Sequence, residues 1–159
     1  MTRTFLASLA VAFLAIVAAG GCHAQSGALI ELNAFPKTQL EIRSGTQKHV
    51  FDIWLAQTPN QQTQGLMFVR DLPENRGMLF LADEPRVFNM WMKNTYIPLD
   101  MVFIAADGRI AKIAENTTPL SLAIVSSDVP VSAILEIKGG EAARRALHAG
   151  DHVTWKAVP

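Results

Sequence analysis

The chain has 159 residues, 50% of them hydrophobic and 18% charged, which suits one domain with a proper core and excludes two. Fourteen basic residues balance fourteen acidic ones and no basic run stands out. That balance gives no electrostatic footprint for nucleic acid, and no nucleic-acid partner is expected.

The chain opens with Arg3 as its only early basic side chain, an unbroken apolar and small run from Phe5 to Ala18, and the small-residue stretch AAGGCHAQ. Charge, short apolar run and small residues in that order are the layout of a secretory signal peptide. The run is shorter than the roughly 20 residues a spanning helix needs. Two cleavage chemistries fit. AGGC matches a bacterial lipobox, with Cys22 as the lipidated first residue, although Ala19 stands where such boxes usually carry Leu. Small Cys22 and Ala24 equally suit ordinary cleavage before Gln25. Either route places the domain in the periplasm or cell envelope, with membrane attachment only through a lipidated Cys22. Cys22 is the only cysteine, so disulfides, thiol nucleophiles and zinc–thiolate sites are excluded from the mature fold. Without Arg3 the balance is 13 basic against 14 acidic residues, a mature net charge of about −1.

After the signal segment (1–24), residues 25–38 show no clear periodicity and are expected to form a linker or irregular lead-in to a single domain at 39–159. QLEIRSGTQKHVFDIWLA predicts a β-hairpin turning at Ser44-Gly45. Thr58-Pro59 is an N-cap followed by proline at the first helical position, which predicts a short helix ending near Gly65 or Met67. MLFL predicts a short buried strand and RVFNMWM a second. LDMVFIAADGRIAKIAE predicts two strands around a tight Asp107-Gly108 turn. VSAILEIK predicts a strand broken by Gly139-Gly140. EAARRALHAG predicts a short amphipathic helix, with Arg144 and Arg145 outward and Gly150 at its end. DHVTWKAV predicts a last strand. The sum is a mostly β, α+β domain of roughly seven or eight strands and two short helices, a compact mixed or antiparallel sheet or barrel-like body.

Two carboxylates interrupt apolar strands. Asp100 shares a strand face with Val102 and Ile104, and Glu136 shares one with Ile134. A buried acid must be paired or hydrogen-bonded. Asp100 is expected to accept backbone N–H groups from the KNTYIP connection and so to hold the Lys93–Thr95 turn. If the two strands are neighbours, Asp100 and Glu136 could instead form a carboxylate pair for acid–base work or a hard-cation site. Separate ion pairs to Arg70, Arg86 or Lys93 are the plainer alternative. Lys93 and Arg70 have two readings each, anion binding or a solvated cation. Met67, Met78, Met90, Met92 and Met101 cluster in sequence, which raises Cu(I) thioether ligation against the plainer reading of core filler. His148 and His152 straddle a helix end, so one helical face cannot present both to a metal. Trp54, Trp91 and Trp155 could stack on sugar rings wherever exposed.

GLMF at 65–68, GMLF at 77–80, MKNT at 92–95, the Leu99-Asp100 and Leu135-Glu136 pairs and Gly150-Asp151 occur in an order that resembles the domain of unknown function 192 family, from about Leu40 to Val158. The resemblance implies a compact, mostly β fold, often exported or lipid-anchored, and no established reaction. The resulting expectation is a monomeric, non-catalytic envelope module without cofactor or metal. Its small-molecule or envelope ligand would be held by Lys93, Asn94, Thr95, Asp100, Glu136 and Arg70. A carbohydrate- or cell-wall-acting hydrolase or transferase using Asp100 and Glu136, and a copper carrier using the methionines, are the competing expectations.

Overall fold

The computed structural model describes residues 29–157. The signal-like segment and Cys22 lie outside the described residues. No helix among the described residues is long and apolar enough to cross a membrane.

The predicted hairpin is β1 (Lys37–Ser44) and β2 (Gln47–Ala56), turning through Gly45 at φ +57°. The side chain of Thr58 then accepts the Gln61 N–H while Gln61 caps the Thr58 N–H in return, starting α1 (Pro59–Gln64) with proline at its first turn. The strands that follow are β3 (Arg76–Arg86), β4 (Asn89–Met90), β5 (Leu99–Ile104), β6 (Ile110–Thr117), β7 (Val125–Ser126) and β8 (Val131–Lys138). The short α2 (Glu141–Arg144) and β9 (His152–Trp155) complete the domain. The mostly β, α+β class read from the sequence holds.

Seven strands form one mixed sheet in the order β6-β5-β8-β3-β2-β1-β9, while β4 and β7 make a separate two-stranded ribbon. Only β2 and β3 run parallel, joined by a crossover that contains α1. The two ends of the sheet meet where Arg109 bridges His152 and Val153 N–H donates to Gly108 O at 2.8 Å. The sheet is therefore barrel-like. Its inner face gathers Leu40, Ile42, Phe51, Ile53, Leu79, Val102, Ile104, Leu135 and Val153 into one apolar cluster. Its outer face is also covered, by Phe35, Trp54, Met78, Phe80, Met92, Met101, Phe103 and Ile134 with the connections that cross them. All six residues of β5 are consequently buried.

Three local expectations need correction. RVFNMWM is not one strand: Arg86 ends β3, and only Asn89 and Met90 pair, with β7. The chain is drawn out of the ladder by the Lys93-Asn94 turn, where Asn94 takes φ +56°. The helix in EAARRALHAG spans four residues, because Ala146 adopts φ +51° well before Gly150. Arg145 does not point outward. Its guanidinium lies 4.5 Å from the Phe51 ring centre, and its Nε donates to Glu141 at 3.0 Å. Arg144 pairs with the same carboxylate and with Glu74 at 3.1 Å. Burial pushes the Glu141 carboxyl up, but the two guanidiniums outweigh it and hold the group below its usual range. Within the expected lead-in at 25–38, the described residues form one 3₁₀ turn at Leu32–Ala34 and are docked, and β1 already begins at Lys37. Phe35 is buried, and both ends of the Gln64 amide hold the Ile30 backbone at 2.6 and 2.7 Å.

Candidate functional site

The strands carrying Asp100 and Glu136 are neighbours, yet the carboxylates do not meet. In the β5–β8 register Asp100 lies opposite Ile137 and Met101 opposite Glu136. Residues directly opposite in a ladder share a face, and a one-residue offset changes the face. Asp100 points to the inner side and Glu136 to the outer side. The paired-carboxylate reading, and with it the two-carboxylate hydrolase in its usual geometry, is corrected by this register.

Asp100 is fully buried and fully satisfied. Its Oδ1 accepts N–H bonds from Asn116 at 2.7 Å and Gly140 at 3.1 Å, and its Oδ2 accepts from Ala142 at 2.8 Å. Asp100 therefore ties β6 and the start of α2 to β5. The expectation that it holds the Lys93–Thr95 turn is wrong, because that turn lies on the opposite side of the sheet. The suggested ion pairs are also absent among the described residues. Arg70 stacks on Tyr96 at 4.7 Å, Arg86 on Phe88 at 4.4 Å and Lys93 on Trp91 at 5.4 Å, each measured to the ring centre.

Glu136 is the opposite case. It is 5% exposed, and no donor among the described residues bonds its carboxyl oxygens. Burial alone raises its pKa to about 8, so the group is largely neutral at pH 7. Met78 on β3 and Met101 on β5 lie directly opposite it on either side. One strand further along the same row, Trp54 buries an indole N–H that also lacks a partner among the described residues.

Glu136 lines a narrow cavity of about 30 Å³. Gln62, Thr63, Gln64, Gly65, Leu66 and Met67, from α1 and the turn after it, contribute to its walls. Phe80 of β3, Met90 and Trp91 at β4, and Thr95 complete them. At Gly65, φ is +50°, and a Cβ there would meet the Phe80 ring at 3.1 Å.

The rim is strained. Phe68, Asn94 and Leu120 all have left-handed backbones, at φ +66°, +56° and +62°. They converge on one turn: Phe68 N–H donates to Asn94 O at 2.8 Å, and Leu120 N–H to Thr95 O at 3.0 Å. Asparagine tolerates this region, whereas for Phe and Leu it costs about 1–2 kcal/mol each. Phe68 also meets Tyr96 edge to face at 6.0 Å. Trp91 is 47% exposed, so it alone of the three tryptophans presents a largely open ring.

Of the six residues singled out from the sequence, the structure brings Glu136 and Thr95 to the cavity; Lys93 and Asn94 touch its lining residues Trp91 and Met67, and Arg70 lies apart from the lining, on Tyr96. Asp100 is separated from them by the sheet. The methionines divide: Met78, Met92 and Met101 are core, and only Met67 and Met90 reach the cavity. No group of three or more His, Cys, Asp or Glu residues able to hold a metal occurs among the described residues. Sequence reasoning missed Gln62, Gln64, Phe80 and the left-handed positions Phe68 and Leu120. The GLMF and GMLF motifs were the signals that could have found Phe68 and Phe80.

The sequence profile of DUF192, described as an uncharacterized ACR family, matches residues 40–155. The chain belongs to the DUF192 family. A solved structure from Sinorhizobium meliloti 1021, provisionally described as a transcription regulator, is 41% identical with a TM-score of 0.74, the match covering 76% of this chain and 95% of that one. A protein of unknown function from Novosphingobium aromaticivorans DSM 12444 is 37% identical with a TM-score of 0.76, covering 80% of this chain and 91% of that one. No curated protein matches. The DUF192 signature segments GLMF, GMLF, MKNT and Leu-Glu supply Gly65 to Met67, Phe80, Thr95 and Glu136 to the same cavity.

Proposed function

We propose that this DUF192 protein is an exported cell-envelope module that binds a small ligand without transforming it, and that the Glu136 cavity is its site. One observation carries the reading: a carboxyl that is 5% exposed lines a cavity with no hydrogen-bond partner among the described residues. A mostly buried carboxyl whose oxygens face a cavity rather than a protein donor is placed to meet an occupant. The convergence of strained Phe68, Asn94 and Leu120 at the mouth supports the same place, because such strain collects at ligand clamps. Export rests on the signal-like run from Phe5 to Ala18 and the small residues after it.

Binding is favoured over turnover because Glu136 is the lone acid at the cavity and the Thr63 and Thr95 hydroxyls there donate to backbone carbonyls, with no second acid–base group to activate them. A role on DNA, which the description of the Sinorhizobium meliloti protein suggests, finds little support in fourteen basic against fourteen acidic residues. The test is native mass spectrometry of the protein from its own envelope, comparing wild type with Glu136→Gln. A retained mass that disappears in the variant is expected. An identical spectrum for both proteins, with or without an occupant, would refute the site.

A further inference from the structure

We propose that the Glu136 cavity receives a primary ammonium group, so that the ligand class is a small amine or a lysine-type side chain. The inference rests on the site reading above and deepens it.

The argument is an inventory of donors and acceptors. Gln62 spends its amide N–H groups on Ala56 O at 3.3 Å and Leu81 O at 3.1 Å. Thr63 Oγ1 donates to Pro59 O at 2.8 Å, and Thr95 Oγ1 to Lys93 O at 3.3 Å. Gln64 is committed at both ends to Ile30. The backbone N–H groups of Gly65, Met67 and Thr95 bond to Gln61 O, Gln64 O and Met92 O. The donors around the cavity are thus largely consumed by backbone carbonyls, the indole N–H of exposed Trp91 being the side-chain exception. What remains is acceptor capacity: the Glu136 carboxyl, the Gln62 carbonyl oxygen and the lone pairs of Thr95 Oγ1. A group that matches such a site brings donors and no acceptor, and an ammonium brings three.

Size and lining agree. The narrow cavity has room for an –NH₃⁺, whereas a trimethylammonium head would bring no N–H donor to its acceptors. The walls are thioethers of Met67 and Met90 and the rings of Phe80 and Trp91, surfaces that suit a cation and the methylenes behind it.

Electrostatics sets a signature. The charged groups on this face are Lys93 over Trp91 at the mouth, Lys138 two residues along β8, and Arg76, two residues before Met78 on β3, with its guanidinium 5.3 Å from the Trp54 ring centre; burial alone accounts for the shift of Glu136. Lys93 is exposed at the solvent side, where salt screens its repulsion. An entering ammonium ionises Glu136 and the carboxyl proton leaves to solvent, so binding and proton release are one event. Affinity must then rise about tenfold per pH unit until the pH nears 8, and level off above it.

The experiment titrates the full-length protein with n-butylammonium, n-butanol and butyltrimethylammonium by calorimetry at pH 6, 7 and 8.5. Expected are saturable binding of n-butylammonium alone, strengthening about tenfold from pH 6 to 7, and loss of at least tenfold in Glu136→Gln. Trp91→Ala, at an exposed position, is expected to weaken binding while leaving the fold intact, which guards against a Glu136 variant that misfolds. Putrescine and an acetylated, amidated Gly-Lys-Gly peptide distinguish a free amine from a lysine side chain. Equal binding of n-butanol, a flat pH profile, or no amine binding at all would overturn the ammonium. If the envelope-purified protein still loses a retained, amine-free ligand on Glu136→Gln, the site stands and only the ligand class falls. If neither amine nor retained mass responds to Glu136→Gln, both fall together.

Discussion

Replacing Asp100 with asparagine keeps the side-chain shape and changes only charge and hydrogen-bond polarity. The carboxylate accepts three backbone N–H bonds at 2.7, 2.8 and 3.1 Å. The amide oxygen of asparagine can keep the two that converge on Oδ1, from Asn116 and Gly140, now as neutral bonds. Each falls from the charged range of about 1.5–3 kcal/mol toward about 1 kcal/mol. The NH₂ group then faces the Ala142 N–H donor to donor, leaving that amide unsatisfied at a cost of about 1–3 kcal/mol. Removal of a buried charge offsets part of this. The net loss is about 2–4 kcal/mol for Asp100→Asn, and Asp100→Ala should lose more because it orphans all three donors. Urea unfolding at pH 7 measures the loss as a lower midpoint with an unchanged slope. Amide exchange then locates it: the Asn116, Gly140 and Ala142 N–H groups should exchange faster, with Thr95 N–H unchanged. A loss under 1 kcal/mol, or faster exchange confined to the Lys93–Thr95 turn, would refute this account of Asp100.

Three further outcomes follow from the same contacts. The raised pKa of Glu136 means that the folded state holds a proton the unfolded chain releases, so this contribution is complete below about pH 4.5 and is lost as pH rises through about 8. Relative to Glu136→Gln, wild type should lose up to roughly 5 kcal/mol across that window, checked by urea midpoints of both proteins at pH 5 and 8.5. Gly77→Ala should destabilise by about 1–3 kcal/mol, read from the thermal midpoint, because its Cβ would sit 2.6 Å from Glu136 O in a paired strand. Gln64→Ala should free the Ile30 backbone and expose residues 29–36 to limited proteolysis, while lowering the global midpoint by no more than about 2 kcal/mol.

The sequence carried the fold further than the site. The faces assigned to residues 99–104 of β5 and 133–137 of β8 are the ones they take, because an extended strand turns successive side chains to opposite sides whatever their polarity. Thr58-Pro59 marked α1 because capping is local chemistry. The partners of Asp100 were not legible: Gly140 and Ala142 reach it across sequence separations of 40 and 42, through a β5–β8 pairing that neither strand's own pattern specifies. The same register set Asp100 and Glu136 on opposite faces, a fact that neither strand's own pattern contains. Trp91, Phe80 and Gln64 gave no local sign that they wall one cavity. The left-handed backbones of Phe68 and Leu120 run against what those residue types prefer, so only the surrounding fold could reveal them.

The cavity draws its walls from residues 62–67, 80, 90, 91, 95 and 136. No contiguous peptide contains it, and local fraying of α1, β4 or β8 dismantles it. Anything that occupies it is therefore bound by the intact domain and released by the unfolded one, which makes heat resistance itself a readout of occupancy. At a hundred times its dissociation constant an occupant adds about 2.7 kcal/mol to global stability. A melting-temperature screen over amines and envelope extracts can find the ligand before anyone knows its identity, and Glu136→Gln supplies the blank for each well.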